Sequence, residues 1–355
     1  MQLSGQALLS VIMSQRVRTI LQYIFFFGLG IFLVWWSIHD LGDKKSQIRD
    51  ALKNARYWLF VPVFVILILS HYVRALRWRL LIEPIGHQPG IANTFFSVLI
   101  GYLANQAFPR AGEVLKCTVL ARYEKISADK LIGTIILERL IDAITLLLVI
   151  IITLAIQPDL YRQLIDTISS SPTDTETKTI SGSFILGAIL LIILIALVIW
   201  MIRNKKNFAD LAGLLEKIAK RVWNGISAIR HLKKRGTFLL YTFLIWGLYL
   251  AGGYVGFHAL KETSVYGIRE ALTVLSAGSI GMVATPGGIG AYAFLLEKTM
   301  QLYGLQQAIA FAFGWLLWLA QFAVVLIGGF FGFLAIPIYN KRKLSQKIEI
   351  IDVKT

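Results

Sequence analysis

Ionisable side chains interrupt an apolar stretch of the chain between Thr94 and Ile156. The stretch contains a short apolar run, Phe95 to Phe108, and a longer one that begins at Leu131. The charged residues within and between these runs include Arg110, Glu113, Lys116, Glu138, Arg139 and Asp142. A charge at the centre of a bilayer costs about 3 kcal/mol on insertion scales, and such charges usually serve a function. We therefore expect these residues to form half of a substrate site inside a membrane protein.

The spacing of these charges suggests an ion network. Glu138 and Asp142 are four positions apart and share one helix face, and Arg139 can pair with Asp142 at a separation of three. Glu113 and Lys116, also three apart, can join them. Two interpretations stay open. The network is a gate or proton-coupled site in which the charges exchange partners with Arg110, or it is purely structural.

Two arginines follow the second apolar segment of the chain. Arg74 and Arg77 lie three positions apart and therefore on one helix face. One explanation is that both side chains snorkel to the cytoplasmic interface of the membrane. The other is that they contact the phosphate of a lipid headgroup, which a guanidinium group binds well.

Composition places the chain among integral membrane proteins. Of its 355 residues 56% are hydrophobic, and the mean hydropathy is +0.67. The net charge of +16 is better explained by basic cytoplasmic loops and anionic lipid than by nucleic acid. A single cysteine and five scattered histidines offer no disulfide framework and no metal-binding spacing. We predict no metal, no cofactor and no catalytic residue.

The apolar pattern predicts an all-α polytopic fold with six full spans and two re-entrant helical hairpins. Each hairpin is two short segments around a break, at Pro109 in the first and Pro286 in the second. Irregular backbone at membrane depth is tolerated only where protein or water surrounds it. The predicted spans are residues 20–38, 57–72, 131–156, 183–202, 237–258 and 308–336.

The order of span, span, hairpin and span occurs twice, in residues 20–156 and 183–336. The proposed cytoplasmic segments carry most of the 36 Lys and Arg residues, which places both termini inside and the two hairpins on opposite sides. The repeats are therefore inverted, an arrangement that puts a substrate site near the midplane. Residues 1–355 form one transmembrane domain, with an amphipathic basic loop at 203–236 and a tail at 337–355.

The breaks themselves could bind an anion. Helix N-termini near Gly112 and Gly290 would expose unpaired N–H groups at depth. Gly287, Gly288 and Gly290 would allow close approach of the backbone, and Arg110 would add a positive charge. Together these groups suit a phosphate. The alternative is that the proline and glycines only end helices and permit close packing.

Four sequence stretches resemble the transmembrane region of the lysylphosphatidylglycerol synthetase and flippase family. They are RALRW, ANQAFPRAGEVLK, ILERLID and ATPGGIGAYAF, and the resemblance extends over roughly residues 20–336. The resemblance implies a bacterial or archaeal inner-membrane protein that acts on lipids, in some members by translocating a charged phospholipid or lipid-linked headgroup. The aminoacyltransferase domain of the full synthetases is not found in these 355 residues, so we expect no synthesis of lysyl-lipid.

The leading interpretation is therefore a flippase-type lipid translocase that is not an enzyme. We find no Walker motif, so an ion or lipid gradient would drive transport. The expected partners are membrane lipids, either an anionic phospholipid or a polyprenyl-phosphate, and no nucleic acid. A homo-oligomer or a partner enzyme of lipid or envelope synthesis stays open. The alternatives are a secondary transporter of a small anionic solute, a polyprenyl-phosphate transferase with Glu138 or Asp142 as base, and a lipid-binding scaffold.

Overall fold

The computed structural model describes residues 24–108, 111–157 and 232–352, and these residues form helices and turns without any strand. The chain divides into two compact units, Met1–Arg139 with Leu232–Thr355, and Leu140–His231. In the second unit the described part is the end of one helix and the residue that follows it, residues 140–157.

The α-helices follow one another with short connections. They are α1 (Ile24–Asp40), α2 (Lys45–Lys53), α3 (Phe60–Ile82), α4 (Ile91–Ala107), α5 (Ala111–Glu124), α6 (Ala128–Ile156), α7 (Arg235–Phe257), α8 (Ile268–Ala284), α9 (Ala291–Leu302) and α10 (Gln307–Asp352). Single 3₁₀ turns occur at Tyr57–Leu59, Glu83–Ile85 and Pro286–Gly288.

Four helical segments in the described ranges are long and apolar enough to cross a membrane. They are Tyr57–Ile85, Ala128–Ile156, Arg235–Phe257 and Gln307–Gln346. Helix α1 counts as a fifth if it is taken together with α2, from which it is bent by 102°. The predicted span at 183–202 and nearly all of the basic loop at 203–236 lie outside the described residues, so the count of six spans stays a prediction.

The final helix is longer than the sequence pattern predicted. The predicted span ends at Ile336, but α10 continues through Pro337 to Asp352. A proline inside a helix removes one backbone hydrogen bond, yet it does not always end the helix. The residues beyond it are mostly good helix formers, and they extend α10 into the part of the chain predicted to be a tail.

Two pairs of short helices correspond to the predicted hairpins. Helices α4 and α5 meet around residues 108–110, and α8 and α9 meet at the 3₁₀ turn Pro286–Gly288. Helix α4 has 17 residues and α9 has 12, which gives lengths of about 25 Å and 18 Å. Both are shorter than a hydrocarbon core of about 30 Å. These lengths are those expected of re-entrant hairpins, but re-entry into the membrane and its direction both stay predictions.

Close contact within the first hairpin depends on glycine. A Cβ atom built on Gly112 would lie only 1.9 Å from the carbonyl oxygen of Gly101. The amide nitrogen of Gly112 donates a hydrogen bond to Asn105 Oδ1 at 2.9 Å. The second hairpin shows a similar approach, because a Cβ on Gly281 would lie 2.6 Å from Tyr292 Cα. In each hairpin the missing side chain allows the two helices to touch backbone to backbone.

The second half of the chain packs around aromatic side chains. Phe257 on α7 and Phe313 on α10 are fully buried, and their rings stack with centroids 5.2 Å apart. Helix α2 lies against this cluster with Ile48 and Leu52, and Ala55, two residues beyond the end of α2, packs there as well.

We expect Gly112→Ala to destabilise the first hairpin strongly, because the added methyl group meets backbone that cannot move aside without separating α4 from α5. The matched control is Gly133→Ala on α6, where nothing lies within 4 Å of the new Cβ. In a helix this control should be neutral or stabilising by up to about 1 kcal/mol. The measurement is the thermal unfolding midpoint of the purified protein in detergent. Equal midpoints for the two variants would contradict the close helix contact.

Candidate functional site

A fully buried carboxylate, Glu138 on α6, lies among three cations from two other helices. Lys116 Nζ donates to Glu138 Oε2 at 2.8 Å, and Arg74 Nη1 donates to Oε1 at 3.2 Å. Arg77 Nη2 reaches the same Oε1 at 3.4 Å. The Glu138 side chain has 0% of its surface exposed, and none of the three cations exceeds 5%. We call these four residues the Glu138 cluster.

Helices α3 and α7 fix the positions of the arginines. Arg74 and Arg77 lie one turn apart on the buried face of α3. Arg77 Nη1 donates to Thr242 Oγ1 at 3.3 Å, and Arg74 Nη2 donates to the Tyr249 hydroxyl at 3.1 Å. Both partners belong to α7. Each guanidinium group therefore bridges α7 and Glu138, as its several planar donors allow.

Lysine 116 is positioned by an aromatic ring as well as by its carboxylate. Its Nζ lies 4.1 Å from the centre of the Trp78 ring, an arrangement that attracts a cation to the face of the ring. Trp78 is completely buried, and its Nε1 donates to Thr134 Oγ1 at 2.9 Å. The ring is thus held between α5 and α6, and Lys116 points from α5 towards Glu138.

A second ion pair lies beside the Glu138 cluster. Arg139 Nε lies 3.2 Å from Glu113 Oε1, with 42% and 23% of the two side chains exposed. Glu113 and Lys116 thus both form ion pairs with residues of α6, and their part in a gate or a substrate site stays a prediction. The spacing suggested Asp142 as a partner for Arg139 and did not identify Glu113. Asp142 lies one turn further along α6, in the second unit.

One explanation offered for the two arginines is wrong. Arg74 and Arg77 do not snorkel to an interface, because they are 4% and 0% exposed and are bound to Glu138 inside the helices. The physical reason is that α6 brings the carboxylate of Glu138 to α3, and a paired charge is more stable inside the protein than an isolated one.

Several cations are gathered at this place in the first unit. Arg74, Arg77 and Lys116 share the carboxylate of Glu138, and Arg139 pairs with Glu113. Guanidinium and ammonium groups held together in this way are the side chains that bind phosphate oxygens in other proteins.

Two further polar atoms nearby have no hydrogen-bond partner among the described residues. The Trp246 Nε1 donor is buried, and its ring lies 6.1 Å from that of Tyr249, the hydroxyl partner of Arg74. His71 Nδ1 is also buried, and its ring lies 4.7 Å from that of Tyr102. Buried polar groups in proteins are normally satisfied by protein, water or ligand. These two atoms are therefore further polar groups near the Glu138 cluster that water or a ligand could satisfy.

The tips of the two hairpins touch each other. Gly287 has φ +59°, and a Cβ there would lie 1.8 Å from Gln106 Oε1 at the end of α4. The Gln106 Oε1 atom is buried and has no partner among the described residues. Trp318 Nε1 on α10 donates to the carbonyl oxygen of Gly287 at 3.0 Å. The second hairpin is therefore held between the first hairpin and α10.

The other two glycines of this turn also have positive φ values and close neighbours. Gly288 has φ +70°, and a Cβ there would lie 2.6 Å from Met282 Sδ. Gly290 has φ +73°, with the carbonyl oxygen of Gly30 on α1 2.3 Å from its hypothetical Cβ. Conformation and packing thus account for all three glycines, and their contact with an anion stays a prediction. Arg110 lies outside the described residues, as does Pro109.

A second buried carboxylate, Glu297 on α9, joins the second hairpin to α1. It is fully buried and accepts hydrogen bonds from Ser37, Lys298 and Gln301. Lys298 Nζ also lies 2.9 Å from Asp40 Oδ2, at the end of α1. The sequence indicated Glu297 and Lys298 only as charges in a short segment. Ser37 and Asp40 could not be identified as partners, since they lie about 260 positions away.

Comparison with known proteins decides the family, because the sequence pattern of the lysylphosphatidylglycerol synthase TM region matches residues 19–329. The chain belongs to this family. It is also similar to a UPF0104 membrane protein of Methanothermobacter thermautotrophicus, with 24% identity over 273 residues, 69% of this chain and 76% of the relative. No solved structure matches the chain. The resemblance noted in the sequence is confirmed, and the protein is a multi-pass membrane protein of this family.

We expect Glu138→Gln to lower the stability of the protein by about 3–5 kcal/mol, the usual cost of leaving buried charge without its partner. Glu113→Gln is the matched control, since it leaves a single, 42% exposed partner, Arg139, whereas Glu138→Gln leaves three buried cations. Adding Lys116→Met to Glu138→Gln should recover part of the stability, because one uncompensated cation is removed. Thermal unfolding midpoints in detergent measure all three. A midpoint for Glu138→Gln equal to that of Glu113→Gln would show that the cluster contributes little.

Proposed function

We propose that this protein translocates an anionic lipid, a phospholipid or a polyprenyl-phosphate, and that the Glu138 cluster receives its phosphate. The observation that supports this most directly is the contact of three buried cations, Arg74, Arg77 and Lys116, with the single carboxylate of Glu138. A phosphate could bind the same cations in place of the carboxylate. Its oxygens can accept several hydrogen bonds from guanidinium groups at once. The family to which the chain belongs, a transmembrane region named for a lipid synthase, agrees with a lipid substrate.

In this proposal Glu138 occupies the phosphate position between transport events. The carboxylate keeps Arg74, Arg77 and Lys116 together when no substrate is present, which lowers the cost of their burial. An arriving phosphate replaces one or more of the contacts to Glu138, so that no cation loses all its partners. Arg110 is proposed as a further phosphate contact in the first hairpin. We propose that the protein acts as a transporter and not as an enzyme.

In this proposal, the contact between the tips of the two hairpins opens and closes during transport. Inverted repeats with broken helices alternate between two openings around a fixed midplane site. The tip contact between Gln106 and Gly287 and the bond from Trp318 to Gly287 would close one side. We propose an inner-membrane location with both termini cytoplasmic. Transport would be driven by an ion gradient or by the lipid gradient itself.

We expect Arg74→Lys and Arg77→Lys to slow lipid translocation at least tenfold while the protein still folds. Lysine keeps the charge but loses the planar fork, and Arg77 uses two of its nitrogens for Glu138 and Thr242. The assay uses proteoliposomes with fluorescent phosphatidylglycerol, whose outward-facing label is reduced by dithionite. Arg342→Lys on the exposed end of α10 is the control with the same chemical change.

The amount of folded protein is measured by size-exclusion chromatography for each variant. Wild-type rates in Arg74→Lys and Arg77→Lys would remove the cluster from the mechanism. Loss of rate that only follows loss of folded protein would assign the cluster a structural role. Uptake of inorganic phosphate by wild-type vesicles without lipid movement would favour the solute transporter.

A further inference from the structure

A cavity of about 220 Å³ opens between α3 and α7, near the end of α3 that carries Arg79 and Glu83. Its volume is below the roughly 300–1,000 Å³ of sites for drug-sized ligands, so it can hold a headgroup but not a whole lipid. No residue of the Glu138 cluster lines it. The residues that matter for its chemistry are Leu76, Arg79, Leu80, Glu83, Lys234 and Tyr241.

One wall of the cavity is cationic. Arg79 Nε donates to the carbonyl oxygen of Pro89 at 2.8 Å, and this bond fixes the guanidinium group at the wall. Lys234 lies 3.4 Å from Glu83, and 58% of its side chain is exposed. An exposed ion pair of this kind is worth about 0–1 kcal/mol. Lys234 can therefore leave Glu83 for a stronger anion at little cost.

The cavity also has apolar lining, and exposed leucines lie beside it on α7. Leu76 and Leu80 lie one turn apart on α3 and line the cavity. On α7, Leu240 and Leu244 are 60% and 40% exposed, and they lie next to Tyr241, which lines the cavity. In a membrane protein such exposed leucines face lipid tails. The cavity is thus cationic at one wall and apolar towards the bilayer, a combination that fits an amphiphile better than a free ion.

The cavity also lies next to the Glu138 cluster along the contact between α3 and α7. Leu76 precedes Arg77 directly, and Tyr241 precedes Thr242, to which Arg77 donates a hydrogen bond. Leu80, which also lines the cavity, lies three positions after Arg77 and therefore on the same face of α3. A headgroup in the cavity would lie beside the cations that we propose as its next binding partners.

We propose that this cavity is the first binding site for the phosphate headgroup of an anionic lipid, with Arg79 and Lys234 as its ligands and the tails along Leu240 and Leu244. The proposal rests on the proposed function in so far as it places the cavity before the Glu138 cluster on the substrate's path. It makes a separate claim about binding, which is measured without any transport.

The test measures binding of dioctanoyl-phosphatidylglycerol to the purified full-length protein in detergent by microscale thermophoresis. Arg79→Gln with Lys234→Gln should weaken binding at least tenfold, because both phosphate ligands are lost. Lys234→Gln alone, at an exposed position that folding does not need, should weaken it several-fold. The matched control is Lys233→Gln with Arg235→Gln, two exposed neighbours that do not line the cavity and that remove the same charge. The control should bind like the wild type.

Two further ligands decide what the cavity recognises. Dioctanoylglycerol, which lacks the phosphate, should bind at least tenfold more weakly than the phospholipid. Inorganic phosphate at the same concentration should not displace the phospholipid. The proposal would be overturned if the Arg79/Lys234 and Lys233/Arg235 double variants bound the phospholipid equally well. It would also be overturned if the wild type bound dioctanoylglycerol as tightly as the phospholipid. Displacement by inorganic phosphate would assign the cavity to a free anion instead of a lipid.

Failure of this proposal differs from failure of the proposed function. Wild-type protein that moves no lipid but binds the phospholipid through Arg79 and Lys234 would remove the transport function and leave the site. If the Arg79→Gln, Lys234→Gln variant binds the phospholipid and moves lipid as the wild type does, the cavity is not the binding site, but the proposed transport function still stands.

Discussion

The burial of Glu138 among Arg74, Arg77 and Lys116 is the interaction on which the rest of this structure depends. Three cations at 5% exposure or less would not be stable inside the helices without a carboxylate between them. The same carboxylate requires α3, α5 and α6 to approach one point. The close packing of the first hairpin follows from this need, since Lys116 can reach Glu138 only if α5 stays against its neighbours. The glycines that let α4 and α5 touch are therefore part of the same constraint.

The elements of the fold could largely be predicted from the sequence. The breaks at Pro109 and Pro286, the short helices around them and the apolar face of α2 all appear as local patterns of proline, glycine and hydrophobic residues. The end of α10 was predicted too early, because a single proline did not outweigh the helix-forming residues after it. Sequence patterns within one helix predict where that helix forms, but they do not predict which of two opposing residue preferences decides where it ends.

The candidate site could be predicted only as a set of charged residues, not as a set of contacts. Spacing rules compare residues three or four positions apart, whereas Arg74 and Glu138 are 64 positions apart and Glu113 and Arg139 come from different helices. The polar partners Thr242 and Tyr249 on α7 were missed for the same reason. A threonine and a tyrosine in an apolar span gave the only signal. Burial could not be predicted from the sequence either, so both snorkelling to the interface and contact with a headgroup phosphate stayed open for Arg74 and Arg77.

Two buried carboxylates tie the two hairpins to different helices. Glu138 holds α5 of the first hairpin to α3, and Glu297 holds α9 of the second hairpin to Ser37 on α1. Moving either hairpin in full would expose a buried charge, which costs several kcal/mol unless another partner takes its place. Of these two carboxylates, only Glu138 lies among several cations that a phosphate could bind, whereas Glu297 lies among one lysine and neutral donors. In the proposed function, an anionic substrate would therefore lower the cost of moving the first hairpin and leave the second in place. The asymmetry between the two carboxylates would then let the substrate control which side of the protein opens.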